Sequence, residues 1–208
     1  MIPLSVVEEY KENLMKMSIL VTDLFDKSVY ALVNRDLDIA KKVIADDKLA
    51  DEMRNAIVEK GTLIIGEYAP IGRFLVEIRN GILIANFLEM IGDDSKKISY
   101  QTIELIKEPM LKPLIDLPKM AKITEDLLRK SMSTYSGGDG KVLDEMVESE
   151  NEVDRIYEMV EDELKLYMME SPKNVSRALR LIMISQRIEE IADLCLKIAS
   201  LYSTGGNS

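Results

Sequence analysis

The sequence predicts an all-α protein of two tandem three-helix bundles, and three observations carry that expectation. Leu, Ile, Met and Ala dominate the apolar residues, Trp is absent and Phe numbers 3. That mixture suits packed helices better than sheets, which favour aromatic and β-branched residues. Apolar residues also recur at alternating spacings of three and four over long runs, the period of a helix with one buried face. Finally, the chain repeats itself. A helix, a helix with an acid pair, a proline-containing turn and another helix with an acid pair occur twice. Glu89 and Glu189 are 100 residues apart and Asp47 and Glu150 are 103 apart, so a small insertion separates the halves.

The first helix is expected from about Ser5 to Asn34, on the seam Val7, Tyr10, Leu14, Met17, Val21, Leu24 and Ala31. Asp36 after the break is a good N-cap for a second helix, expected over Leu37 to Gly66. Its seam reads Leu37, Ala40, Ile44, Asp47, Asp51, Arg54, Val58, Gly61 and Ile65: apolar, then charged for about two turns, then apolar again. Pro70 punctuates the next turn. A third helix, about Ile71 to Ile106, runs through Ile71, Leu75, Ile78, Ile82, Ala85 and Glu89. Pro109, Pro113 and Pro118 mark a connection between halves.

A fourth helix is expected near Lys119 to Thr134, followed by the flexible turn SGGDGK. That turn is no phosphate-binding loop, because its glycine spacing is wrong and Val142 follows Lys141. The fifth helix, about Lys141 to Met169, has the seam Leu143, Met146, Glu150, Val153, Tyr157, Val160, Leu164 and Tyr167. Ser171 and Pro172 read as the cap and first position of the last helix, with the seam Val175, Ala178, Ile182, Ser185, Glu189, Ala192, Leu196 and Ala199. Residues 1–108 therefore form the first repeat, 109–118 the connection and 119–203 the second repeat, with a disordered tail at 204–208.

Composition excludes several functions. A formal net charge of -10 argues against nucleic acid, whose phosphates demand a basic face, and against anionic lipid. No apolar run approaches a membrane span, and the N-terminus lacks the pattern of a signal peptide. A single cysteine, Cys195, allows no internal disulfide and fits the cytoplasm. It lies in an apolar run and reads as a small buried hydrophobe. With no His in the chain, Ser–His–Asp and Cys–His catalysis are both excluded.

The strongest clue to function is the placement of acids. Asp47 with Asp51, Glu89 with Asp93, Glu150 with Asp154 and Glu189 with Asp193 are each four residues apart, on one helix face, where the seam calls for apolar residues. Carboxylates in a helix seam lose water at a cost of several kcal/mol per ion unless a partner offsets it. Arg54 and Arg79 are available but too few for this set. Carboxylates without His or thiolate are hard oxygen donors, suited to Mg²⁺, Ca²⁺, Mn²⁺ or iron. If the register drifts instead, Asp47, Asp51, Glu150 and Asp154 face solvent as most acids do. The lysine pairs beginning at Lys41 and Lys96 read as solvated faces, and the methionines as gap-filling core.

The segments LEMIGDDSKKIS and RIEEIADLCLKIAS resemble the signature that closes each half of PhoU-family regulators, roughly Leu-Glu-Arg-Ile-Gly-Asp-x-x-x-Asn-Ile-Ala-Glu. NRDLDIAKKVIADDKLADEM resembles the family's second helix, with Asp47 and Asp51 at its acid positions and Glu150 and Asp154 in the second half. The resemblance implies two three-helix bundles and a non-catalytic cytoplasmic regulator of phosphate uptake. It implies partners among the ATPase and membrane components of a phosphate transporter or a sensor kinase, a homodimer, and metal, iron in some members, on the acid motifs. The sequence departs from the pattern at Met90 and Glu190, where the family has Arg, at Ala192 for Gly, and at Lys97 and Lys197 for Asn; a lysine there can replace part of a metal's charge. Two other expectations compete. One is a metal-free helical module regulating another ion transporter. The other is a di-metal carboxylate oxidase, disfavoured because such bundles use Glu-x-x-His.

Overall fold

The computed structural model describes residues 2–135 and 141–203. The expected SGG turn and the tail at 204–208 lie outside the described residues. Among those described are six α-helices: α1 (Leu4–Asn34), α2 (Leu37–Tyr68), α3 (Arg73–Ile106), α4 (Asp116–Tyr135), α5 (Lys141–Glu170) and α6 (Val175–Ser203). A 3-10 turn at Pro172–Asn174 precedes α6. Helices α1 to α3 pack on one another, as do α4 to α6, and the bundles join along α3 against α6 and α1 against α4. None of these helices is long and apolar enough to cross a membrane.

Local chemistry sets the boundaries. The Asp36 carboxylate accepts hydrogen bonds from the amides of Asp38 and Ile39, both at 3.0 Å, and starts α2. Ser171 Oγ accepts from the Lys173 amide at 3.3 Å ahead of α6. Arg35 ends α1 in the left-handed region, at φ 53°. Its guanidinium donates to the Ile106 carbonyl at 2.9 Å and the Glu108 carbonyl at 2.6 Å, capping α3 and fixing the start of the proline-rich connection. Helix α4 begins at Asp116, three residues before the expected Lys119, because Pro118 sits in its first turn, where no amide donor is needed.

Every α1 seam residue named above is buried. The α2 seam is rotated from expectation. Val43, Ala50, Ile57 and Ile64 are buried, whereas Leu37 is exposed and Ile44, Val58 and Ile65 are half-buried. The buried residues of α2, Ala40, Val43, Asp47, Ala50, Ile57, Gly61 and Ile64, form a single row facing α1 and α3, one step round the helix from the expected one at every second position. Ile71 lies in the α2–α3 turn, exposed, and Leu75 is exposed in the first turn of α3.

Tyr10 is the wedge of the first bundle. It is fully buried, and its hydroxyl donates to the Ile78 carbonyl at 3.3 Å. Glycines on both neighbouring helices make room for it. A Cβ on Gly61 would lie 2.8 Å from the Tyr10 hydroxyl, and one on Gly81 would collide with the Tyr10 ring and stand 2.9 Å from Leu14 Cδ1. Gly81→Ala is therefore expected to destabilise by about 1–2 kcal/mol, because overpacking outweighs the roughly 1 kcal/mol gain in helix propensity. Gly66→Ala, where a Cβ meets nothing, is expected to stabilise slightly. Urea unfolding of both variants checks the difference in sign.

The repeat is visible in burial as well as in sequence. Residues 84, 85, 88, 91, 92, 95, 98 and 99 of α3 are buried, and so is each residue 100 positions later in α6. The two helices run antiparallel. Asn80 donates to the Leu201 carbonyl at 2.9 Å, Arg187 reaches Asp94 at 3.5 Å and Arg180 donates to Gln101 at 2.8 Å. The halves are thus related by an approximate two-fold axis through the middle of α3 and α6.

Candidate functional site

Each acid pair lies where the second helix of a repeat meets the third. Asp47 is buried, while Asp51, Glu89, Asp93, Glu150, Asp154, Glu189 and Asp193 are half-buried. None of the eight is fully exposed, although on α2 the buried row passes through Asp47 and Ala50 and leaves Asp51 at its edge. Asp47 and Asp51 face Glu89 and Asp93 in the first repeat. Glu150 and Asp154 face Glu189 and Asp193 in the second.

The first cluster is filled by its own cations. Lys96 Nζ stands 2.7 Å from Asp47 on α2 and 2.7 Å from Asp93 on α3. Lys97 Nζ stands 2.8 Å from the other Asp93 oxygen and 2.9 Å from buried Asp94. Arg187 of α6 approaches Asp94 and also pairs with Glu190. An alternating chain, Asp47–Lys96–Asp93–Lys97–Asp94–Arg187–Glu190, thus runs from α2 through α3 to α6. Gly92 faces this pair: a Cβ there would lie 3.4 Å from the Asp47 carboxylate, an ordinary contact. Lys96 is accordingly half-buried and paired across the seam, contrary to its expected place on an exposed face.

The titration behaviour follows from these contacts. Burial works against the Lys96 charge, but hydrogen bonds and charges of Asp47 and Asp93 outweigh it and raise the ammonium's pKa. Burial likewise opposes the Asp93 charge, and the hydrogen bonds from Lys96 and Lys97 bring it below the usual carboxylate range. Glu89 is pushed up by burial and by Asp51 and Asp93, with Arg54 pulling the other way. Arg79 does not serve the acids. Its guanidinium donates to Asn80 Oδ1, at 3.2 and 2.9 Å.

The second cluster keeps the acids and loses most of the cations. By the repeat, Leu196 stands where Lys96 was and Tyr157 where Arg54 was. Among the described residues one cation pairs with the four acids, Lys197, at 2.6 Å from Asp193. Asp154 Oδ1 is buried without a hydrogen-bond partner. Burial, Asp154, Asp193, Glu190 and Glu150 push Glu189 up to about 7. Glu150 and Asp154 are raised by burial first and by neighbouring acids second.

This donor set tests the fit to a metal. The first cluster fits poorly, because ammonium groups already hold Asp47 and Asp93. The second fits in charge and chemistry: hard oxygen donors, an orphaned buried oxygen and mutual repulsion. As the side chains stand, however, no three acids among the described residues converge closely enough to hold an ion. Ligation there requires the carboxylates to turn toward a common point.

Cys195 is fully buried, and burial pushes its thiol up, so it is inert core as expected. The sequence showed the acids because acids are rare in seams. It did not show which lysines reach them. The difference between Lys96-Lys97 and Leu196-Lys197 was legible once the repeats were aligned.

Comparison with known proteins matches the chain to one family. The model of the PhoU domain matches residues 14–102 and again residues 117–201. The chain is 38% identical to "Phosphate-specific transport system accessory protein PhoU homolog 2" of Thermotoga maritima, over 97% of this chain and 87% of that protein. It is 31% identical to the "Phosphate-specific transport system accessory protein PhoU homolog" of Aquifex aeolicus, over 88% of this chain and 83% of that one. The crystal structure of PhoU from Pseudomonas aeruginosa superposes with a TM-score of 0.93, at 25% identity, covering 98% of this chain and 99% of that chain.

Proposed function

The chain belongs to the PhoU family, and from that membership we propose that it is a non-catalytic regulator of phosphate uptake. It works in the cytoplasm, as a homodimer, on the ATPase and membrane components of a phosphate transporter or on a sensor kinase. The observation that carries this reading is the match of both repeats to the PhoU domain, with relatives named as accessory proteins of phosphate transport. The absence of His supports the non-catalytic part.

Within that role, Glu150, Asp154, Glu189 and Asp193 form a cation-responsive site for a hard divalent ion: iron, manganese, magnesium or calcium. When bound, the ion supplies the positive charge that Leu196 and Tyr157 do not. Glu150 and Asp154 of α5 with Glu189 and Asp193 of α6 would hold it, joining the two helices and biasing the surface they offer a partner.

The test is retention of the transporter ATPase on the immobilised chain, with and without Mn²⁺, for the wild type and for Asp154→Asn with Asp193→Asn. Retention by the wild type that changes with Mn²⁺, and a variant indifferent to Mn²⁺, are expected. No retention of the ATPase or a sensor kinase under any condition would remove the regulatory reading. Retention indifferent to Mn²⁺ in both proteins would remove the cation while leaving the regulator.

A further inference from the structure

We infer that Lys96 is the resident cation of the first repeat and that it keeps divalent metal out of the cluster of Asp47, Asp51, Glu89 and Asp93. Taken with the metal site proposed above, on which this consequence rests, the two halves are specialised. One acid cluster is closed by the chain itself, and the other responds to metal.

The placement of the Lys96 ammonium carries the inference. It stands 2.7 Å from an acid of α2 and 2.7 Å from an acid of α3, so it bridges the two helices. A metal joining the same helices through Asp47 and Asp93 would need that position. Lys96 takes one oxygen of Asp93 and Lys97 takes the other. Neither oxygen is left without a cation. A divalent ion entering here must displace an ammonium tethered to the same helix, which competes at high effective concentration. If it entered without displacing it, the two positive charges would stand a few ångströms apart and repel.

The network is also held from outside the cluster. Lys97 is paired with Asp94, which is buried, and Asp94 with Arg187 of the other repeat. The second repeat keeps only the outer part of this closure, Lys197 beside Asp193, and lacks the bridge between its helices. Its counterparts to Lys96, Asp94 and Arg54 are Leu196, Leu194 and Tyr157. The acids are the same in kind, and what differs is who supplies the positive charge.

The inference predicts metal stoichiometry. Mn²⁺ uptake by the full chain is measured by equilibrium dialysis for the wild type, Lys96→Leu and Lys96→Gln, each also carrying Asp154→Asn and Asp193→Asn. Lys96→Leu installs the residue of the second repeat, and Lys96→Gln keeps hydrogen-bonding capacity should the leucine variant fail to fold. With Lys96 intact, the Asp154 and Asp193 changes are expected to abolish uptake. With Lys96 replaced, uptake is expected to survive those changes and to disappear on Asp93→Asn, the first cluster binding at least about tenfold tighter than in the wild type.

Two results would overturn the inference. One is uptake sensitive to Asp93→Asn while Lys96 is present. The other is a folded Lys96 variant, by circular dichroism, that gains no uptake at the first cluster. A wild type that takes up no Mn²⁺, beside a Lys96 variant that does, would uphold the role of Lys96 and remove the metal site proposed for the second repeat.

Discussion

Replacing Lys96 by methionine is expected to cost the metal-free protein about 2–3 kcal/mol at neutral pH. Methionine keeps the length and apolar packing of the stem, so the loss isolates the charge. Asp47 is 5% exposed and has Lys96 as its ion-pair partner among the described residues. Without that ammonium a carboxylate remains in the α2–α3 seam with nothing to offset its lost hydration. Removing one partner of a buried pair costs roughly 3–5 kcal/mol. The expected cost falls at or below the bottom of that range because Lys96 retains 26% exposure, so water reaches its head group and can follow into the gap. Asp93 loses less, since Lys97 still holds its other oxygen. Urea unfolding of the two proteins in chelator gives the difference. A loss below about 0.5 kcal/mol, the scale of an exposed pair, would mean that Lys96 only decorates the surface.

The sequence predicted this architecture well and the wiring of its acids poorly, and the reasons are physical. The α1 row is legible: each seam residue expected on α1 is buried, because each is apolar and the spacing holds along the helix. On α2 the apolar neighbours Val43 and Ile44, Ile57 and Val58, and Ile64 and Ile65 offer two adjacent rows, and periodicity alone does not choose the one that is buried. Acids stood out because they interrupt apolar rows, and their pairing four residues apart follows from helix geometry alone. Lys96 was placed in solvent because helical periodicity says which face a residue is on and not how far a four-carbon stem reaches across a seam. The Arg187–Asp94 pair joins residues 93 apart, and nothing local announces it. Its mates under the approximate two-fold axis are Phe87 and Leu194, so one side of the α3–α6 contact carries an ion pair where the other has apolar residues.

Glu189→Gln should shift stability in the opposite direction. In the metal-free protein it is expected to stabilise by about 1–2 kcal/mol at pH 8. Glu189 lies among Glu150, Asp154, Asp193 and Glu190, and its pKa rises from 4.5 to about 7, through burial first and those charges next. Above pH 7 the folded protein carries a carboxylate that it disfavours relative to the unfolded chain. As pH falls from 7 toward 4.5 the folded form binds a proton that the unfolded form does not, so stability rises with acidification through that window. Glutamine removes the share of Glu189 in the penalty and in its pH dependence; the figure is discounted because water still screens the carboxyl. Urea midpoints at pH 8 and pH 5 in chelator should therefore rise on acidification more for the wild type than for Glu189→Gln, in which Glu150, Asp154, Glu89 and Asp26, all raised, still take up protons. Saturating Mn²⁺ at pH 8 should stabilise the wild type as acid does, because a cation and a proton relieve the same repulsion. It should not stabilise the variant to the same extent. A wild type that loses stability between pH 8 and pH 5 would show that the repulsion in this cluster is already neutralised. The repulsion would then be too small to give a cation any leverage over the α5–α6 seam. A stabilising substitution here and a destabilising one at Lys96 would show that the same set of acids costs stability where it is left open for a ligand and supports the fold where lysine closes it.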